Sequence, residues 1–332
     1  MTTNKAWTLA SRPSGPVTEQ NFKLVESEAP RPKEGEVLVK NLWLSLDPYM
    51  RFRMDDVKSY APPVQIGEVM SGEAAGEVLE SKHPSFKTGD SVLVQSGWQL
   101  YACAKGDNLT KVDVDARRAP LSYYLGVLGM PGMTAYFGMK EIGMPKPGET
   151  VVVSAASGAV GSVVGQLAKI AGCRAVGVAG GKEKCDYVVK ELGFDACVDY
   201  KAGNLYRDLR EACPKRVDVY FDNVGGEILE TLLRLMNLHS RIVVCGRIAE
   251  RDEPYCHKNL GVLIGGRVRM QGMLVFDWKD RYPEGIQALA GHLAQGKLKY
   301  RESVVEGIEN APKGFIALLK GGNFGKQLVK LA

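Results

Sequence analysis

VVVSAASGAVGSVVGQLAKIAG, residues 151–172, decides how this chain is read. Val151, Val152 and Val153 form a β-branched run that stops at Ser154. A glycine-studded turn follows, then apolar residues at helical spacing: Val160, Val163, Val164, Leu167 and Ile170. The pattern predicts a strand, a phosphate-cradling turn and a helix whose buried face carries those five residues. Such a helix offers free N–H groups and a positive dipole end to phosphates. The dinucleotide fingerprint is Gly-x-Gly-x-x-Gly; its second glycine lets the backbone approach a pyrophosphate, and its third permits close helix–strand packing. Gly158 and Gly161 stand at those two places, with Ala159 and Val160 between them. Ala156 replaces the first glycine, which serves the tight turn, and can do so if its φ stays negative. A plainer reading is a strand-to-helix turn that needs small residues only for packing. FAD and S-adenosylmethionine also use related turns.

The same alternation runs on downstream. Apolar runs at TVVVSA, RAVGVAG, ACVDY, VDVYFDNVG, RIVVCGR and VRMQGMLVF are separated by helical patterns around 158–171, 182–192, 203–212 and 226–237. That implies βαβ units and a parallel sheet, an α/β doubly wound lobe. The first 118 residues read differently. They are short apolar runs broken by Gly and Pro, with Val37, Val39 and Asn41 alternating against Leu38, Lys40 and Leu42. A β-rich, twisted or partly closed barrel follows. The stretch PLSYYLGVLGMPGMTAYFGM from Pro120 predicts helix interrupted at 129–132. After Tyr282 come a helix, a strand-like run, a last helix and a terminal strand. Residues 1–120 are therefore expected to form the β-rich lobe, completed by 298–332, with the doubly wound lobe over 121–297.

Composition narrows the classes. A chain of 332 residues, 45% hydrophobic and 24% charged, matches an ordinary globular protein of about two domains. Its net charge of +5 comes without a Lys/Arg cluster, so a nucleic-acid partner is not expected. Seven cysteines show no CxxC pair, which suggests reduced thiols and a cytoplasmic setting. No run approaches the ~18 apolar residues of a membrane span, and none is expected to cross one.

The end of the second strand speaks to the cofactor. NAD-binding folds place Asp or Glu there to hold the ribose 2′-hydroxyl. Here the stretch is VAGGKEK, 178–184, with Gly180 and Gly181 where the acid would stand. Lys182 and Lys184 follow, so a 2′-phosphate meets cations and NADPH fits better than NADH; Glu183 is the ambiguous neighbour. Two solvated lysines on a first helical turn are the plainer reading. Catalytic zinc needs converging Cys, His or carboxylate ligands. No cysteine precedes Cys103 and no histidine precedes His83, so no metal is expected; Cys256-His257 reads as loop. Without metal, reducing a conjugated carbonyl needs a hydride donor and a hydrogen-bond donor for the developing enolate oxygen. A tyrosine, with a reference pKa of ~10, suits that second role. Tyr49, in LDPYMR, is the candidate, against the alternative that it merely covers an Asp-Pro turn.

Together LSLDPYMR (44–51), LGVLGMPGMTAYFGM (125–139), SAASGAVGSVVGQLAK (154–169), YFDNVGG (220–226), VVCG (243–246) and GNFGKQ (322–327) resemble the medium-chain dehydrogenase/reductases. Within that family they are similar to the zinc-free NADPH-dependent double-bond reductases, the prostaglandin/leukotriene and plant alkenal reductases. TLASRPSGPVTEQNFKL, SYAPPVQIGEVM and ESKHP are nearest to bacterial curcumin reductases. The match covers nearly the whole chain, and the combination is specific although each motif alone is not. The resemblance implies a GroES-like catalytic lobe around a Rossmann lobe, with NADPH in the cleft between them and a homodimer formed through the Rossmann lobe. It places Gly158, Ala159, Val160 and Gly161 in the phosphate loop, and Lys184 and Tyr200 on the 2′-phosphate side, with Gly181 also expected to bind the cofactor. Asn223, Cys245, Gly246 and Asn323 match cofactor-contacting positions. Met273 and Val275 are expected on the strand lining the nicotinamide pocket.

One segment departs from the family. Relatives usually follow VCG with I-S-x-Y-N, whose tyrosine steadies the substrate oxygen. Here it reads GRIAERDEPY, 246–255, so Tyr255 is the replacement candidate and a mobile charged loop the plainer reading. The expected activity is NADPH-dependent reduction of the C=C bond of α,β-unsaturated ketones or aldehydes, with Tyr49 and Tyr255 as catalytic candidates. The alternatives are a zinc-free NADPH quinone oxidoreductase and a catalytically silent NADPH-binding scaffold.

Overall fold

The computed structural model describes residues 2–114 and 119–331. They fall into two units, Met1–Gly126 with Glu302–Ala332, and Val127–Arg301. In the first unit β1 (Thr3–Leu9) and β2 (Phe22–Glu28) pair antiparallel. The main sheet is built from β3 (Glu36–Ser45), β4 (Ala74–Ser81), β5 (Ser91–Val94), β6 (Tyr101–Lys105) and β7 (Leu109–Lys111). Val37, Val39 and Asn41 of β3 are buried while their neighbours in between are not, the period-2 pattern of a strand with one inner face. After Leu46-Asp47-Pro48 a short helix α1, Tyr49–Arg53, begins.

The second unit opens with α2 (Met130–Phe137), capped by Gly129 and carrying Pro131 in its first turn. The expected interruption at 129–132 is thus the start of this helix, where proline is tolerated because its missing N–H has no partner anyway. Six strands follow: β8 (Thr150–Ser154), β9 (Arg174–Ala179), β10 (Ala196–Asp199), β11 (Val217–Asp222), β12 (Met236–Val244) and β13 (Arg269–Gly272). Between them run α3 (Gly161–Ile170), α4 (Lys182–Lys190), α5 (Leu205–Ala212), α6 (Gly226–Leu233) and α7 (Val262–Gly265); α8 (Tyr282–Ala294) follows the sheet. The sheet order is β10-β9-β8-β11-β12-β13 and every pair is parallel. This is the doubly wound order, whose direction of winding reverses between its first and fourth strands, here β8 and β11. Crevices outside the carboxyl ends of strands at such a reversal bind ligands.

The chain then returns to the first unit through β14 (Glu302–Glu306), α9 (Ala311–Leu319) and β15 (Lys326–Lys330). β15 lies between β14 and β3 in the main sheet. Phe315 of α9 enters the core, its ring edge-on to Trp98 at 5.4 Å, and Trp98 stacks on Phe22 at the same separation. The first unit's core is therefore completed by residues from the far end of the sequence.

Two expectations are corrected. Ile170 is exposed and Leu167 and Val160 only half-buried, so the buried face of α3 is Val163, Val164 and Ala168, with Gly161 and Gly165. A Cβ on Gly165 would meet the Phe194 ring at 1.8 Å, so an aromatic residue takes space that the apolar periodicity assigned to larger side chains. Met273 and Val275 lie beyond β13, which ends at Gly272; Val275 opens a 3-10 turn instead. Among the described residues no helix is long and apolar enough to cross a membrane.

Candidate cofactor and active site

The turn after β8 is held by its own backbone and by β11. Gly158 N–H donates to the Ala155 carbonyl at 2.9 Å, and Ser162 N–H to the Gly158 carbonyl at 3.0 Å. A Cβ at Gly161 would stand 2.3 Å from the Ala155 oxygen, so only glycine fits. At Gly158 the same test gives 3.1 Å, a milder conflict, in line with a glycine kept for access rather than packing. Ala156, in the first glycine's place, is fully buried, and its Cβ presses on Gly177 of β9. The left-handed backbone falls one residue earlier, at Ala155, with φ +51°.

A buried hub ties the neighbouring strand ends together. Asp222 Oδ1 accepts from the Tyr220 hydroxyl (2.6 Å), Ser154 Oγ (3.2 Å) and the N–H groups of Val224 (3.0 Å) and Gly225 (2.9 Å). Burial raises its pKa, opposed by these donors. Asn223 donates from its backbone N–H to Ser154 Oγ and from Nδ2 to the Ser154 carbonyl, both at 2.8 Å. The N–H groups of Cys245 and Gly246 donate to the Asp222 carbonyl at 2.8 and 3.0 Å. The ends of β8, β11 and β12 are thus fixed as one edge. Gly246 is required there, since a Cβ would approach the Asn223 oxygen to 2.8 Å. Burial pushes the Cys245 thiol up to about 12, so it stays protonated and unreactive at neutral pH. Met273 N–H donates to the Val244 carbonyl at 3.0 Å, which holds it at the same edge, and Val275 is buried.

A basic corner lies at the ends of β9 and β10. Gly181, at φ +97°, caps α4 and its N–H donates to Asp199 Oδ1 at 2.8 Å. The same oxygen accepts the Lys201 N–H at 3.0 Å, so this carboxylate is occupied by backbone. A Cβ on Gly180 would meet the Tyr200 ring and hydroxyl at 2.9 Å and the Lys201 side chain at 3.0 Å. Lys184 is half-buried, and desolvation followed by the Lys201 charge lowers its pKa. Lys182 instead points outward and pairs with Asp186 at 2.6 Å, the solvated role.

Tyr49 and Asn323 belong to the first unit. Tyr49 opens α1 with its ring half-buried; burial, then Asp47 and Glu73, push its phenol well above the usual range. It is a hydrogen-bond donor at any physiological pH. The turn before it is anchored: Lys326 Nζ donates to the Leu46 carbonyl (2.8 Å) and Asp47 Oδ1 (2.7 Å), and Ser45 Oγ donates to Asp47 Oδ2. Both ends of the ion pair are buried. Asn323 folds its Nδ2 onto the Gly325 carbonyl at 2.8 Å.

Tyr255 lies in the second unit, 38% exposed, with its ring 5.0 Å from that of His257. Burial, then Glu230 and Glu227, raise its pKa. The segment around it is held in place. Glu250 is buried and accepts the Gly226 N–H at 2.7 Å and pairs with Arg247. The structure places Gly158, Gly161, Lys184, Tyr200 and Asn223 near the ends of β8, β9, β10 and β11, and adds Lys201, Asp222, Glu250, His257 and Lys326, to which the sequence reading gave no site role. Asp222 stood within FDNVGG and Lys326 within GNFGKQ, while His257 was read as loop. Among the described residues no group of three or more His, Cys, Asp or Glu could hold a metal ion.

The chain matches the family described as N-terminal domain of oxidoreductase over residues 5–112, and that described as zinc-binding dehydrogenase over 159–291. It is 46% identical to NADPH-dependent curcumin reductase of Escherichia coli K12, covering 99% of this chain and 97% of that protein. It is 42% identical to prostaglandin reductase 1 of Bos taurus, with 98% of each covered. The crystal structure of CurA from Vibrio vulnificus in complex with NADPH superposes at a TM-score of 0.94, at 45% identity, over 99% of both chains.

Proposed function

The chain belongs to the medium-chain dehydrogenase/reductases, in the branch of the curcumin, prostaglandin and alkenal reductases, and from that premise we propose that it is an NADPH-dependent enone reductase. The observation that carries the cofactor choice is the basic corner, where the Lys201 charge acts on Lys184 and Asp199 Oδ1 accepts the Gly181 and Lys201 N–H groups. Bound NADPH supplies a hydride to the β-carbon of an α,β-unsaturated ketone or aldehyde. The chain does the rest. Gly158 to Gly161 and the α3 N-terminus receive the pyrophosphate, and Lys184 with Tyr200 and Lys201 the 2′-phosphate. Gly181, Asn223, Cys245, Gly246, Met273, Val275 and Asn323 complete the cofactor's contacts. A protonated Tyr49, its phenol pushed up by burial, donates a hydrogen bond to the enolate oxygen as charge develops there, Tyr255 is a second such donor, and a proton from solvent on the α-carbon completes the saturated product. No metal takes part in this scheme; the enolate charge is met by hydroxyl groups.

The protein should oxidise NADPH when mixed with enones and yield the saturated ketone, with NADH a poorer donor. Tyr49→Phe should lower kcat by about 100-fold, the usual effect of losing one such donor. A wild-type protein inert toward an enone panel would sink the reading; a hydroquinone product from quinones, with enones untouched, would replace it with quinone reduction. The unpaired edge strand β13, with Leu238, Leu260, Ile264 and Phe276 exposed, supports a homodimer through the second unit. Sedimentation at the monomer mass would overturn that.

A further inference from the structure

The segment after Gly246 carries an arrangement that the proposed chemistry leaves unused. His257 Nε2 lies 3.1 Å from Glu250 Oε1, and its Nδ1 lies 3.2 Å from Glu230 Oε2. All three side chains are largely buried: 13% exposed for the imidazole, 12% for Glu230 and 2% for Glu250. A ring N–H that meets a carboxylate makes a charge-assisted hydrogen bond, and each ring nitrogen here faces one.

Each carboxylate has its own anchor. Glu250 accepts the Gly226 N–H at the start of α6 and pairs with Arg247. The turn is shaped for it: Gly225 and Gly226 have φ of +74° and +60°, and a Cβ on Gly225 would stand 2.5 Å from Glu250 Oε1. Glu230, one turn along α6, accepts the Lys258 N–H at 3.1 Å and the Asn259 side-chain amide. Ala249 N–H reaches the Val224 carbonyl at 3.0 Å. His257 thus closes a ring of contacts from α6 through Glu230, across the imidazole, to Glu250 and back to α6. Tyr255 sits inside this ring's span, its ring tilted against the imidazole at 5.0 Å.

We infer that His257 is a positioning residue: shared between Glu230 and Glu250, it clasps residues 247–259 to α6 and fixes where Tyr255 stands for the enone. The role of Tyr255 rests on the enone-reductase reading; the clasp itself does not. Residues 247–255 form a charged segment, and the clasp gives it one fixed geometry from which Tyr255 can act.

Hydrogen exchange over 247–259 and steady-state kinetics on His257→Ala, Glu230→Gln, Tyr255→Phe and the His257→Ala/Tyr255→Phe double variant test this. Exchange in the segment should quicken by about tenfold in His257→Ala and in Glu230→Gln, as the loss of a charge-assisted bond implies. The KM for the enone should rise by about tenfold in His257→Ala while that for NADPH stays within about twofold. In the Tyr255→Phe background His257→Ala should add less than about twofold, because the two act as one unit. Unchanged exchange in both clasp variants would overturn the clasp. A full His257→Ala effect in the double variant, or equal shifts in both KM values, would overturn the positioning role. A wild-type protein that reduces no enone defeats the activity and with it that role, while the exchange result still decides the clasp.

Discussion

In the proposed scheme Lys184 carries the choice of cofactor. Its desolvation and the nearby Lys201 charge hold its pKa below the ordinary lysine value of ~10.5. In that scheme Lys184 is a cation for the 2′-phosphate; as pH rises through that lowered value the free protein would lose it, and preference for NADPH should fall. NADH, lacking that phosphate, is spared. The ratio of KM for NADH to KM for NADPH should therefore shrink as pH rises toward the ordinary lysine range, earlier than an unperturbed lysine would allow. Lys184→Ala should collapse the ratio by about tenfold at neutral pH and leave it flat against pH, the loss of one charge-assisted bond. An unchanged ratio would remove Lys184 from the site. At this scale the sequence showed lysines beside two glycines but not which one turns inward. Lys182 and Lys184 differ by two positions on α4, and only packing decides that one meets Asp186 and water while the other meets Lys201. The Glu230–His257–Glu250 group was equally hidden, since its members lie up to 27 residues apart and follow no spacing rule.

The turn between β8 and α3 was the most legible element, and also the one where a residue-by-residue template misplaced the strain. The fingerprint's first glycine is absent because Ala156 needs no unusual φ; it fills a space against Gly177. Ala155 takes the left-handed conformation instead. A non-glycine residue there costs about 1–2 kcal/mol. Ala155→Gly should thus relieve strain, less about 0.4–1 kcal/mol for the freedom that glycine adds to the unfolded chain. The net expectation is a gain of roughly 0.5 kcal/mol, read from urea unfolding, with NADPH affinity preserved. A loss of stability would show that the left-handed turn is not a strained one. Periodicity overstated the apolar face of α3 for a related reason. It counts large side chains, and here Gly161 and Gly165 do the close packing while Ile170 faces outward. β13 was read too long because the apolar run continues past Gly272, where the chain leaves the sheet for a 3-10 turn.

Over the molecule as a whole, the alternation of strands and helices in the second unit and the return of the chain to the first were legible. The means of that return was not. Lys326 and Asp47 are separated by 279 positions and both buried, so no local pattern announces the pair. Lys326→Met would strand the Asp47 carboxylate in the first unit's core. It should lower unfolding stability by about 3 kcal/mol, and Asp47→Asn in the same chain should restore part of that. A single variant as stable as wild type in denaturant titration would show the pair to be dispensable.

That same pair bears on the order in which a ribosome can deliver a finished fold. The first unit cannot complete its main sheet or its Trp98–Phe315 contact until α9 and β15 have emerged, whereas the second unit is whole once Arg301 is out. During synthesis the early strands must wait, with their apolar faces uncovered, while a later segment folds ahead of them. A chain stalled shortly before residue 311 would hold a competent nucleotide-binding body tethered to an open sheet, a natural client for chaperones.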